Sequence, residues 1–155
     1  MIPLKSRRFW RTTRQLAMGI LMCFGVLGIV PKAYAQTDRV DLLIRQLMDK
    51  GTTVREKAAE ALGELKDPRS VKPLVAALDD MDFVVRRTTV AALVKIGSPA
   101  VDPLIFALNR PDSVVKYNAA QALGQIKDSR AVGPLIFALT RSDSVLKYYA
   151  AQALG

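Results

Sequence analysis

Arg55, Arg86, Lys116 and Lys147 recur at intervals of 31, 30 and 31 residues, each directly after an apolar residue (Val54, Val85, Val115, Leu146). One cation per period suits an acidic or phosphorylated extended partner, because units stacked at helix-packing distance would set the charges about 10 Å apart. The same cations have a structural use. Asp82, Asp112 and Asp143 stand three residues before an apolar marker, where each could pair with the cation of a neighbouring unit. The positions after the cation read Glu56, Arg87, Tyr117, Tyr148 and then Lys57, Thr88, Asn118, Tyr149. Tyrosine at places that are polar in the earlier units is expected to face solvent in part, and exposed tyrosine beside basic residues is the composition of a protein-binding surface. The alternative is that these rings merely cover the later units. The candidate binding set is Arg55, Arg86, Arg87, Lys116, Tyr117, Lys147, Tyr148 and Tyr149.

Other chemistries are excluded by residue type. The chain has no histidine and one cysteine, Cys23, so it can build neither a Ser-His or Cys-His nucleophile pair nor an imidazole metal site. The acidic group Asp79, Asp80 and Asp82 lacks the spaced ligands and turn glycine of a calcium loop and reads as a solvated turn. No Gly-rich phosphate loop occurs. No catalytic residue, metal or cofactor is assigned. A formal charge of +9 suggests nucleic acid, yet residues 1–35 carry six bases and no acid, and residues 36–155 carry 17 bases against 14 acids, leaving +3. With Glu56, Glu60 and Glu64 interleaved, that is not the basic footprint nucleic acid requires.

The elements that must position the cations come from a second series. Val40, Val71, Val101 and Val132 repeat at the same intervals, 14 residues ahead of the apolar markers, and residues 101–124 and 132–155 agree at 19 of 24 positions. Each unit predicts two helices. The first is short: Val101, Leu104, Ile105 and Leu108 share one face at i, i+3, i+4 and i+7, and Pro73, Pro103 and Pro134 sit in its first turn, where a missing N–H is harmless. The second is longer, as over 54–66, with Val54, Ala58, Ala61, Leu62 and Leu65 predicted to be buried and Glu56, Glu60 and Glu64 opposite them. Asp82, Asp112 and Asp143 also read as N-caps of these longer helices. Small residues such as Ala119-Ala120, Ala122 and Gly124 would let neighbouring helices approach closely. One pair cannot bury both of its apolar faces, whereas stacked pairs share a continuous core.

Val54-Arg55, Ala58-Ala59, Ala61-Leu62-Gly63, Leu65 and Asp67, followed by Val71, Pro73-Leu74-Val75 and Ala77-Leu78, resemble the HEAT-like repeats first grouped with phycobilisome lyases. The resemblance spans residues 37–155. It implies an all-α, right-handed α-solenoid of about four helix pairs, with units near 37–67, 68–98, 99–128 and a truncated 129–155. It also implies a protein-interaction module or scaffold for another, unidentified protein, or alternatively a bilin lyase-like or chaperone role on phycobiliproteins. That second role needs a cytoplasmic protein and usually a longer array. Within the pattern, Leu42 and Gly51 mark the first unit as atypical. Val94 in place of glycine and Thr88-Thr89 in place of the alanine pair predict a looser second unit. The chain stops at Gly155, before the apolar residue that Leu65, Ile96 and Ile126 supply. Leu146, Ala150, Ala153 and Leu154 are therefore expected to form an uncovered face, met by further repeats or by end-to-end self-association.

Residues 1–35 read as a leader: a cationic start, an apolar stretch from Leu16 to Val30, and Ala33-Tyr34-Ala35 before Gln36, the layout of a cleavable secretory signal. Fifteen apolar residues reach about 22 Å, short of a ~30 Å hydrocarbon core, so no membrane anchor is expected after cleavage. Arg7-Arg8 resembles a twin-arginine signal, from which Trp10 and Arg11 depart. The mature chain would begin at Gln36, lose Cys23, form no disulfide, and reside in the periplasm or outside the cell.

Overall fold

The computed structural model describes residues 32–141 and 143–155; apart from residues 32–35, the predicted leader lies outside them. Among the described residues there are eight α-helices and no strand: α1 (Lys32–Gln46), α2 (Thr52–Leu65), α3 (Val71–Ala76), α4 (Phe83–Ile96), α5 (Val101–Ala107), α6 (Ser113–Ile126), α7 (Val132–Leu139) and α8 (Ser144–Leu154). Short 3-10 turns lead into α3, α5 and α7. Arg39–Gly155 forms one unit in which each short helix lies beside a long one and the long helices α2, α4, α6 and α8 stack side by side, an α-solenoid. The Ala35–Gln36 junction falls within α1. Among the described residues no single helix is long and apolar enough to cross a membrane.

Local chemistry sets the helix ends. The carboxylates of Asp82, Asp112 and Asp143 accept from the first free N–H groups of α4, α6 and α8, as their spacing predicts. The long helices stop at equivalent left-handed residues, Lys66 (φ 51°), Gly97 (φ 75°) and Lys127 (φ 56°). At Gly97 the accompanying ψ of −130° is accessible only to glycine, which explains glycine at the one shortened link.

On α3 and α5 the short helices bury the predicted face, Val71, Leu74 and Leu78, then Val101, Leu104 and Leu108, with Ile105 half-buried. On α7 the expectation needs correction: Leu135 is buried and Leu139 half-buried, but Val132 and Ile136, at the places of Val101 and Ile105, are exposed because no further unit packs over them among the described residues. On α2 the predicted set needs correction. Ala58, Ala59, Leu62 and Gly63 are buried, but Val54 is 36% exposed and Ala61 and Leu65 are half-buried. Val85, Val115 and Leu146, the counterparts of Val54, are fully buried because each has a preceding long helix to pack on.

Small residues fix how closely the long helices approach. A Cβ on Gly63 would stand 2.7 Å from the Cα of Ala92, and one on Gly124 would stand 2.5 Å from the Cα of Ala153. Between them, the α4–α6 interface carries Val94 at the glycine position and is the sparsest of the three. The expected looseness of the second unit is located there. The register places of the alanine pair are Thr89 and Val90 rather than Thr88 and Thr89. Thr89, fully buried where the other units have Ala58, Ala119 and Ala150, leaves its hydroxyl without a hydrogen-bond partner among the described residues. Since an unmade buried hydrogen bond costs about 1–3 kcal/mol, the near-isosteric Thr89→Val should raise stability by about 1–2 kcal/mol. The check is the urea midpoint, and a lowered midpoint would show that the hydroxyl finds a partner in solution.

The expected uncovered face of the last helix is a further correction. Leu146 and Ala150 are buried against the preceding unit, and only Ala153 and Leu154 are half-exposed. They border an open cleft of about 360 Å³ with Leu123, Val132 and Leu135.

Candidate functional site

The four cations do not behave alike. Arg55, on the first turn of α2, is buried and gives Nε and Nη2 to the two carboxylate oxygens of Asp80 at 2.6 and 2.9 Å, while Nη1 reaches the carbonyls of Asp49 and Lys50 at 2.9 and 3.2 Å. A bidentate fork of this kind is the strong form of the ion pair. The guanidinium hydrogen bond pulls the Asp80 carboxyl below its usual range, against the opposing effect of burial. The partner is thus a turn aspartate of the next unit, but Asp80 rather than Asp82, whose carboxylate is occupied in capping α4.

Lys116 follows a different route. Its Nζ lies 3.3 Å from Asp143, which also accepts from the backbone of Val145 and Leu146 and from the Tyr117 hydroxyl, 3.1 Å from each carboxylate oxygen. The Leu146 N–H, with Tyr117 and Lys116 behind it, holds the Asp143 carboxyl below its ordinary range. Arg86 departs from expectation: it makes no bond to Asp112, and instead its Nη1 donates to the carbonyls of Asp80 and Met81 at 2.7 and 3.1 Å. Lys147 is exposed and unpaired among the described residues. Two rungs of four are therefore closed ion pairs, which removes Arg55 and Lys116 from the accessible binding set.

The tyrosines are brought together. Tyr117 stacks on Tyr149 with ring centroids 5.6 Å apart, and Tyr148 meets Tyr149 edge-on at 5.4 Å. Tyr148, 63% exposed, is the outermost ring. On the same row Arg87 lines a shallow cleft of about 350 Å³ between α2 and α4, with Glu60, Thr88, Ala91 and Lys95 around it. Lys95 pairs with Glu64 across the two helices. Asn118 turns inward and donates to the carbonyl of Leu78 at 3.0 Å, satisfying an oxygen at the end of the preceding unit's short helix. Among the described residues no group of three or more acidic or thiol side chains is placed to hold a metal. The arrangement can stack, hydrogen-bond and exclude water; it presents no nucleophile–base pair.

Sequence reasoning missed the outer surface of the short helices. Phe106 is 76% exposed, Phe137 60% and Ile136 52%, so the short helices of the last two units carry large apolar side chains in solvent. The signal was available, because both phenylalanines fall outside the i, i+3, i+4, i+7 set that defines the buried face.

Comparison with known proteins agrees with this architecture. The residue pattern described as HEAT repeats matches residues 21–93 and 71–155. The chain is 39% identical over 98 residues to the phycocyanobilin lyase subunit alpha of Picosynechococcus sp., covering 57% of this chain and 36% of the relative. It is 32% identical over 88 residues to the uncharacterized phycocyanin operon protein Z of Pseudanabaena tenuis, covering 56% and 44%. The chain thus spans less than half the length of these curated relatives. One chain of the solved complex of CpcE and CpcF of phycocyanin lyase from Nostoc sp. superposes with a TM-score of 0.54 at 19% identity, covering 90% of this chain and 99% of that chain, a likeness of fold.

Proposed function

Because the chain belongs to the HEAT-repeat family, we propose that it works as a protein-interaction module that holds its partner on the face of its long helices. The observation that carries this is the change of chemistry along that face. Glu56, Lys57, Glu60 and Glu64 on α2 give way to Arg87 and Lys95 on α4, and then to uncharged Tyr117 and Gln121 on α6 and Tyr148, Tyr149 and Gln152 on α8. A stacked tyrosine cluster with one ring held outward is rigid contact area at small entropic cost, the kind of anchor that dominates interfaces. The closed pairs at Arg55 and Lys116 support a structural role for those two rungs. The layout of residues 1–35 supports placing the module outside the cytoplasm.

The similarity to a phycocyanobilin lyase subunit favours a second reading, a bilin lyase-like or chaperone role on phycobiliproteins. One experiment separates the two. The purified chain is mixed with phycocyanin subunits and tested for co-elution, alongside Tyr148→Ala and Arg87→Glu variants whose folding is verified, and the N-terminus of the protein from its own cells is sequenced. A complex lost in either variant supports the long-helix face and the second reading. A complex indifferent to both variants sinks the proposed face, and no complex removes the second reading. A terminus at Gln36 favours the exported module; an intact Met1 on cytoplasmic protein overturns export.

A further inference from the structure

The repeats provide an internal template for a binding site on the edge formed by the inter-helix turns. In the first unit the Arg55 fork is set by two backbone carbonyls, Asp49 and Lys50, and its Nε and Nη2 edge is filled by the Asp80 carboxylate. One unit later Arg86 is set by the equivalent carbonyls, Asp80 and Met81, with the same Nη1 atom. The turn that should return a carboxylate to it closes with the same hydrogen bond: Asp80 and Arg110 each donate their N–H to a carbonyl three residues back, Ala77 and Ala107, at 3.2 Å. At the register position of Asp80, however, stands Arg110. Among the described residues the Nε and Nη2 of Arg86 have no hydrogen-bond partner, and a second guanidinium stands on the turn from which the partner would come.

We propose that the Nε and Nη2 edge of Arg86, with Arg110 beside it in register, docks a side-chain carboxylate from an acidic segment of a partner protein. The occupant is a carboxylate because that is what the identical fork holds in the first unit, in a planar two-bond geometry that an oriented guanidinium matches. The surroundings specify more. Phe83 lies under the guanidinium, 5.8 Å from its carbon to the ring centroid, and is 65% exposed, and Met81 is 90% exposed. In the first unit these places are Thr52 and Lys50. The segment should therefore carry an apolar residue next to its acid. The site uses Arg86 and Arg110 and neither Arg87 nor Tyr148, the residues that test the long-helix face, so its success or failure is distinguishable from that of the long-helix face.

The test uses the full chain labelled with ¹⁵N-arginine, the Arg86 Nε–H signal being assigned by its loss in Arg86→Lys. The probes are a peptide alternating glutamate and leucine, its glutamine counterpart, and inorganic phosphate. The glutamate peptide should shift the Arg86 signal, the glutamine peptide should not, and phosphate should require far higher concentration. Arg86→Lys, which keeps the charge and loses the fork, should weaken the peptide about tenfold. Arg110→Asp should rebuild the first-unit pair, moving the Arg86 signal without any peptide, raising Tm, and weakening the peptide at least as much. The proposal is overturned by an unmoved Arg86 signal, by affinity unchanged in Arg110→Asp or Arg86→Lys, or by phosphate binding as tightly as the peptide.

Discussion

Replacing Gly63 by valine is expected to lower stability by about 3 kcal/mol or more. The new Cβ would lie 2.7 Å from the Cα of Ala92 and 2.8 Å from its Cβ. The obstacle is backbone and a methyl with no rotamer to escape into, so α2 and α4 must separate, and separation opens the contacts of Ala58, Leu62 and Leu93 as well. Overpacking ordinarily costs about 1–3 kcal/mol, and the two further methyls of valine take this case to the top of that range or past it. Helix propensity works the other way by less than about 1 kcal/mol and does not decide the sign. Gly133 is the control. It lies in α7, and a Cβ added there would meet nothing within 4 Å, so Gly133→Ala should gain up to about 1 kcal/mol. Urea unfolding followed by circular dichroism reads both, and a Gly63→Val chain as stable as the parent would mean that the long helices do not pack this closely in solution.

That contact is half legible in the sequence. The glycines and alanines announce close helix approach, and the periods of 31, 30 and 31 residues place the helices, caps and turns, because those depend on local pattern alone. What meets Gly63 depends on the angle at which α2 and α4 cross, and no local pattern states it. The ladder shows the same boundary. Asp80 and Asp82 lie two residues apart in one turn, and spacing cannot say which pairs and which caps. In the folded turn Asp82 holds the free N–H groups of α4, which leaves Asp80 for the Arg55 fork. Where the next turns carry Arg110 and Arg141 at that position, the shorter Lys116 takes the capping carboxylate, Asp143, as its partner. The last helix differs from expectation for a related reason. Its apolar stripe suggests an outer end, whereas Leu146 and Ala150 face the unit that precedes them. A stripe shows that a face is buried, and only the direction of stacking shows which neighbour buries it.

Asp80→Ala should cost about 3 kcal/mol at neutral pH, and much less in acid. Both side chains of this pair are less than a tenth exposed, and removing the carboxylate leaves a buried cation with only two carbonyls as acceptors. Breaking such a pair costs about 3–5 kcal/mol; the lower end applies because the turn lies at the edge of the core and water can reach the exposed fork. The pH dependence follows from the direction of the shift. Hydrogen bonding to Arg55 lowers the Asp80 carboxyl below its ordinary value in the folded chain, so its contribution is complete above the unfolded value near 4 and is lost as pH falls through the folded one. Asp128, held at about 2 chiefly by the side chain of Arg130, loses its contribution in the same direction. The parent should therefore destabilise as pH drops from about 4 toward 2, and Asp80→Ala should follow a shallower slope over that window, the two curves converging in acid. Asp82→Ala is the discriminating comparison, since that carboxylate caps α4 and touches no guanidinium; it should cost about 1 kcal/mol, the ordinary value of an N-cap. Equal losses from the two aspartates, or curves that stay parallel into acid, would show that the Arg55 fork contributes nothing beyond turn geometry.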